Sequence, residues 1–343
     1  MREIKGGEQM SRANLITDVA GVLVGNAQDA RIATGVSVAL FEEPAVAAVS
    51  ILGGAPANRD TNPQIDGTVE GIDAVVLSGG SGFGLDAAGG VLARLRELGR
   101  GFAIGPARVP IAPQAIVFDL LNGGDKDWGR FPPYLALGYE AAAQVSTRFS
   151  LGTAGAGYGA TTVDLKGGLG SASAVTSRGH TVGALVVVNA IGSAIVGEGP
   201  HFWAAPYEVG DEFGGLGLPS DIAERARKLA WKGGAQPATT IALVATDAVL
   251  TRAQARRVAV QANDGLARAL RITHAPMDGD TIYCAATGRL PLGEEPVAAL
   301  TEIGSVAADT LARAIARGIY EATALPFENA LPAWRDRFGG GVR

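Results

Sequence analysis

Short apolar runs broken by glycine-rich turns set the limits on what this chain can fold into. Ala74-Val75-Val76-Leu77, Ala184 to Val188 and Ile241 to Ala245 read as strands. Between and after them, helical periodicity is clearest at 84–99, 134–147, 220–231, 251–270 and 295–318. Two of these stretches open with a residue pair suited to a reciprocal cap, Asp221 with Glu224 and Thr251 with Gln254. Strands separated by helices place the chain in the α/β or α+β class. The 343 residues allow two domains or one large one. No obvious linker divides the strand-dense part, up to about residue 190, from the helix-rich end, and there is no internal repeat. The segment 197–238 is rich in Gly and Pro and reads as exposed.

Composition narrows the partners. Hydrophobic residues make up 47% and charged residues 18%, against roughly 25% charged in an average soluble domain, so surface hidden between subunits, a homo-oligomer, is expected. The 49 glycines are scattered without a period and imply many tight turns. A net charge of −5 with no Lys/Arg run argues against nucleic acid or an anionic membrane, and for a small-molecule substrate. The one cysteine, Cys284, excludes an intramolecular disulfide and a thiolate zinc site. The start, MREIKGGEQMSR, is polar, and no stretch gives about 18 uninterrupted apolar residues, so no membrane span is expected and the cytoplasm is the expected compartment.

The stretch AVVLSGGSGFGLDAAGG (74–90) places glycines between a strand and a helix, where backbone amides and the helix dipole favour an anion. Gly82-x-Gly84-x-x-Ala87 nearly fits a dinucleotide-binding turn, but GRGFAIGP (99–106) offers no acidic residue for a ribose. A tight strand-to-helix turn is the simpler reading. A serine-hydrolase elbow at Ser81 fails because Phe83 stands where the motif needs glycine. His180, His201 and His274 share no ligand spacing and read as surface or loop residues rather than catalytic bases.

GGAQPATTIALVATDA (233–248) begins as a glycine-rich loop and turns at Ala238-Thr239-Thr240 into a buried-looking strand. Threonines suit a strand start by their β-branching alone. Asp278 and Asp280 bracket a glycine in HAPMDGDTIYCA (274–285), which is turn chemistry, or a carboxylate pair for a hard cation or a proton relay. Lys166 stands before two glycines and Asn189 ends an apolar run, both ordinary turn positions taken singly. Together, Thr239, Asn189, Lys166, Asp278 and Asp280 supply a hydroxyl nucleophile, an amide donor, an ammonium and carboxylates. A threonine hydroxyl needs a base, and cutting the 238–239 bond would free its own α-amine to serve. Such a mechanism requires no cofactor and no metal.

The chain resembles the DmpA-type L-aminopeptidase/D-esterase family, which includes β-peptidyl aminopeptidases and 6-aminohexanoate-oligomer (nylon-oligomer) hydrolases. The likeness runs in order through LITDVAGVLVGNA, GGAPANRDT, DAVVLSGGSGFGLDAAGGV, AIVFDL, GTAGAGYGA, KGGLGSAS, ATTIALVATDA and MDGDT. It implies a four-layer αββα sandwich, shared with ornithine acetyltransferases. It also implies autocleavage between Ala238 and Thr239 into chains 1–238 and 239–343 within one domain, and a tetramer of the processed heterodimers. Thr239 would be nucleophile and amine base, Asn189 an oxyanion donor, Lys166 a cation near the nucleophile, and Asp278 and Asp280 its orienting pair. Ala238 departs from the Asn that precedes the nucleophile in the nylon-oligomer enzymes. The aspartate pair matches that branch, whereas β-peptidyl aminopeptidases carry Ser and Glu there.

The leading expectation is an amidohydrolase acting on short peptides, β-peptides or ω-amino-acid oligomers through a threonyl ester. Acyl transfer to an amine in the same fold, and a non-catalytic ligand-binding protein, are the alternatives. Tyr158, Phe83, Ser81 and Trp128 are candidates to line the pocket.

Overall fold

A computed structural model describes residues 12–61, 71–233 and 237–339. The 18-residue strand β2 (Thr34–Ile51) organises it. Its first half pairs antiparallel with β1 (Val22–Asp29) and with β4 (Ile72–Ser78), and its second half pairs with β11 (Thr281–Leu290). The register with β4 breaks between Leu40 and Ala45, around exposed Glu42, Glu43 and Pro44, and there the strand passes from one sheet layer to the other. With β3 (Asn58–Arg59), β7 (Gln114–Ile116), β8 (Gly168–Val175), β9 (Thr181–Asn189) and β10 (Thr239–Ala248), the strand order is β3-β7-β4-β2-β11-β10-β9-β8. A separate hairpin joins β5 (Phe102–Ile104) to β6 (Ala107–Val109).

Three apolar cores make four layers. Alternate residues of β4, β9 and β10, including Val75, Leu77, Leu185, Val187, Ile241 and Leu243, meet between the sheets. Their neighbours Ala74 and Val76 face α1 (Ala87–Glu97) and α2 (Tyr134–Ala143). Val186, Val188, Ala242 and Val244 face α4 (Arg252–Ala269) and α5 (Pro296–Tyr320). Strands covered on both sides must be apolar at every position, which is why they read as uninterrupted runs rather than as alternation. Each fully buried Val, Leu or Ile stabilises by about 1.5–3 kcal/mol relative to exposure. The layers are close: a Cβ at Gly170 of β8 would stand 1.9 Å from the Ala314 carbonyl of α5. This mixed α/β sandwich is the αββα arrangement expected.

Several element expectations need correction. The stretch 84–99 opens as a 3-10 turn over Ser81–Asp86 behind Gly80 at φ 87°, and the α-helix starts only at Ala87. Helix 134–147 stops at Ala143, because Ser146 pairs with Val24 of β1. The expected helix 220–231 shrinks to α3 (Ile222–Arg225), which buries no residue and so has no apolar face to stabilise it. Asp221 makes no cap there; its carboxylate accepts from Arg225 Nε at 2.7 Å. Thr251 and Gln254 do form the reciprocal cap of α4. Segment 197–238 is not simply exposed, since Phe202, Ala204 and Phe213 join the helix-side core. A last short helix, α6 (Trp334–Phe338), packs Trp334 against Phe202. Among the described residues, no helix is long and apolar enough to cross a membrane.

Candidate active site

Thr239 is the first residue of β10, only 4% exposed, and pairs in register with Asn189 at the end of β9. The peptide unit before it is gripped by the turn 277–279. Ala238 N–H donates to the Met277 carbonyl at 3.1 Å, and the Ala238 carbonyl accepts from Gly279 N–H at 3.0 Å. Thr239 Oγ1 donates to that same Ala238 carbonyl oxygen. Gly279 is glycine for a spatial reason: a Cβ there would lie 2.7 Å from Thr239 Oγ1.

Asp278 and Asp280 are both buried behind this turn. Asp280 accepts from Thr240 N–H at 2.8 Å through one oxygen and from His274 N–H at 3.0 Å through the other. Burial, and then the neighbouring Asp280 charge, push the Asp278 carboxyl well above the usual carboxylate range, so the pair holds a proton that an isolated aspartate would lose. One oxygen of Asp278, Oδ1, has no hydrogen-bond partner.

Asn189 is anchored on both sides of its amide. Its Oδ1 accepts from Thr161 N–H at 3.0 Å and its Nδ2 donates to the Phe118 carbonyl at 3.0 Å. The Ala238 carbonyl takes its hydrogen bonds from Gly279 N–H and the Thr239 hydroxyl, not from Asn189. Lys166 is 1% exposed, and its ammonium donates to the carbonyls of Gly157, Ala160 and Gly167, each at 2.9 Å. Burial lowers its pKa to about 7, partly offset by Asp119. Three carbonyls match the three protons of the charged form, so the lysine ties the 157–167 turn together rather than touching the Thr239 hydroxyl.

A cavity of about 430 Å³ reaches Pro237, the residue before Ala238, though neither Ala238 nor Thr239 lines it. Its wall includes Phe118, Asn122, Thr161, Trp231, Lys232 and Pro237. Tyr158, Phe83 and Ser81 are not among its lining residues. Phe83 is half exposed and stands edge-on to Trp128 at 5.4 Å, while Ser81 sits at φ 53° with its N–H donating to the Val117 carbonyl. Aromatic residues next to glycine turns were a weak guide because the wall comes from chain segments distant in sequence.

Three site residues escaped the sequence reading. Gly279 was visible only as a spacer between the aspartates. His274 was set aside for lacking ligand spacing, yet its Nδ1 lies 2.8 Å from Asp280 Oδ2. Lys232 lies in the Gly/Pro-rich lead-in, of which residues 234–236 fall outside the described residues. Its ammonium donates to the Thr161 carbonyl at 2.9 Å and to Asn189 O and Oδ1 at 3.4 Å each. Burial lowers its pKa to about 7, with Asp278 opposing. The other histidines stay apart: His180 is buried against the Pro291 carbonyl rather than at the surface, and His201 contacts the Gly217 carbonyl. Among the described residues no group of three or more His, Cys, Asp or Glu is placed to hold a metal ion.

The model of peptidase family S58 matches residues 14–331. An uncharacterized aminopeptidase of Mycobacterium tuberculosis is 40% identical, over 95% of this chain and 98% of its own length. The solved structure of a Burkholderia sp. beta-aminopeptidase superposes with a TM-score of 0.70 at 23% identity, covering 95% of this chain and 92% of that one. The L-aminopeptidase D-Ala-esterase/amidase of Ochrobactrum anthropi, described as a variant of the Ntn hydrolase fold, gives 0.69 at 20%, covering 95% and 93%.

Proposed function

This chain belongs to peptidase family S58 and is a peptide-bond hydrolase, and from that premise we propose that it is an autoprocessing aminopeptidase with Thr239 as its nucleophile. The observation that carries the reading is the Ala238 carbonyl, hydrogen-bonded at once by Gly279 N–H and by the hydroxyl of the next residue. A backbone donor aimed at a carbonyl that gains negative charge under attack is an oxyanion device, worth about 2.7–4 kcal/mol where such donors have been removed.

In the first step Thr239 Oγ1 bonds to the Ala238 carbonyl carbon, the carbon–nitrogen bond breaks, and the hydroxyl proton ends on the departing nitrogen. Water then hydrolyses the ester, leaving the Ala238 carboxylate and a free Thr239 α-amine. The products are chains 1–238 and 239–343. The freed amine, with a reference pKa near 7.7–8.0, is the base for turnover. In turnover the hydroxyl attacks the substrate amide, the leaving amine takes the proton, and water releases the acyl group. Asp280 orients the junction through Thr240 and shares a proton with Asp278, Asn189 offers the substrate carbonyl the amide proton that the Phe118 carbonyl does not take, and Lys166 is a positioning residue. Short peptides, β-peptides and ω-amino-acid oligomers are the substrate class.

Intact-mass spectrometry with N-terminal sequencing tests the reading. The expected result is a fragment beginning Thr-Thr-Ile-Ala and its complement, with both cleavage and amidase activity abolished in Thr239→Ala. Turnover surviving in that variant overturns it.

A further inference from the structure

The side chain of Lys232 is a primary amine seated against Asn189, the register partner of Thr239. Around it are the Thr161 carbonyl, the Asn189 carbonyl and Asn189 Oδ1. All three are acceptors, so the nest suits a group that only donates and rejects a carboxylate. Asn189 is the register partner of Thr239, which puts one side of the nest on the strand next to the one that carries the hydroxyl. Thr161 and Lys232 also line the 430 Å³ cavity, together with Pro237, the residue before the junction. One contact is 2.9 Å and the other two are 3.4 Å, while the Lys232 backbone is anchored separately by its N–H on the Ile191 carbonyl at 2.9 Å.

We propose that this nest is the subsite for the free amino group of the substrate, and that Lys232 fills it as a tethered stand-in while the chain is uncut. The inference rests on the aminopeptidase reading and deepens it. An enzyme that removes N-terminal residues must recognise a primary ammonium at a fixed distance from the scissile carbonyl, and three acceptors next to the nucleophile do so. Cutting at Ala238 frees the segment that carries Lys232 from β10 and lets the ammonium leave. A tethered competitor acts at an effective concentration in the millimolar range for a short linker, so it blocks weak ligands without a large intrinsic affinity.

Calorimetric titration with n-butylammonium chloride tests this without requiring cleavage or turnover. In the uncut Thr239→Ala protein the nest is occupied, and in Thr239→Ala/Lys232→Met it is open. The double variant is expected to bind n-butylammonium about tenfold more tightly than the single variant, and n-butanol equally weakly in both. Equal affinity of the two proteins for the ammonium, or equal binding of the alcohol and the ammonium to the double variant, overturns the subsite even if the protein cuts itself. If the double variant fails to fold, acetic anhydride labelling of unaltered protein decides instead. Lys232 is expected to be spared in uncut Thr239→Ala and acetylated in cut protein, and equal protection in both overturns the proposal. An uncut wild-type chain would count against the autoprocessing reading alone, since the binding comparison stands without it.

Discussion

Replacing Gly279 by alanine asks whether the turn that grips the Ala238 carbonyl positions the nucleophile. The backbone of Gly279 is not in the left-handed region, so alanine is conformationally allowed. The added Cβ would lie 2.7 Å from Thr239 Oγ1, 3.1 Å from Thr239 Cγ2 and 3.1 Å from the Ala55 carbonyl. To reach an ordinary 3.4 Å contact the hydroxyl must retreat by about 0.7 Å. A displacement near 1 Å from attack geometry costs about 10²-fold in rate, equivalent to about 2.7 kcal/mol. The overpacking itself costs about 1–3 kcal/mol of stability, which a large, well-packed domain can absorb. The assay is the time course of precursor disappearance by intact mass after rapid purification, with a thermal melt beside it. Gly279→Ala is expected to remain folded and to cut about 100 times more slowly. A folded variant that cuts at the wild-type rate would refute both the placement of the hydroxyl and the oxyanion role assigned to this turn.

The buried pair Arg313 Nε to Glu212 Oε1, at 2.5 Å with both side chains under one-tenth exposed, predicts a loss of about 1.5–3 kcal/mol in Arg313→Met, read from urea melts, because Glu212 loses its charged hydrogen bond and keeps Arg317 at 3.7 Å and the Asn14 amide at 2.6 Å. Lys166 predicts a pH effect with a definite sign. Its folded pKa of about 7 lies below the ordinary 10.5, so between those values the unfolded chain holds a proton that the folded chain has lost. Stability then rises with pH across that window, and Lys166→Met is expected to flatten the rise in urea melts taken from pH 7 to 10.

Much of the architecture was legible because burial leaves a mark in composition. The runs at 74–77, 184–188 and 241–245 are apolar at every position since β4, β9 and β10 are covered on both faces. The same logic failed at 220–231, where Leu229 and Trp231 gave an apolar pattern but both are exposed. At the site, residue types that chemistry needs could be picked out along the chain, and Thr239, Asn189, Asp278 and Asp280 do converge. What spacing could not convey was the pairing of Ala238 with Asp278, which is a contact between segments 40 residues apart. That contact alone gives Gly279 its role. Lys166 shows the converse: a lysine before glycines reads as an ordinary turn residue, and its nitrogen is held by the carbonyls of Gly157, Ala160 and Gly167.

Were the chain severed at Ala238 as proposed, the order β2-β11-β10-β9 would make that a one-way event. Strands β10 and β11 follow the junction, yet they lie wedged between β2 and β9, which precede it, with hydrogen-bond ladders along both flanks. The two products would therefore stay interleaved like shuffled cards, neither having a finished sheet of its own. Folding would happen once, as an intramolecular search by the whole chain. Afterwards the cut molecule would endure by the slowness of its opening, because pieces that had drifted apart could reunite only through a collision whose rate falls with dilution.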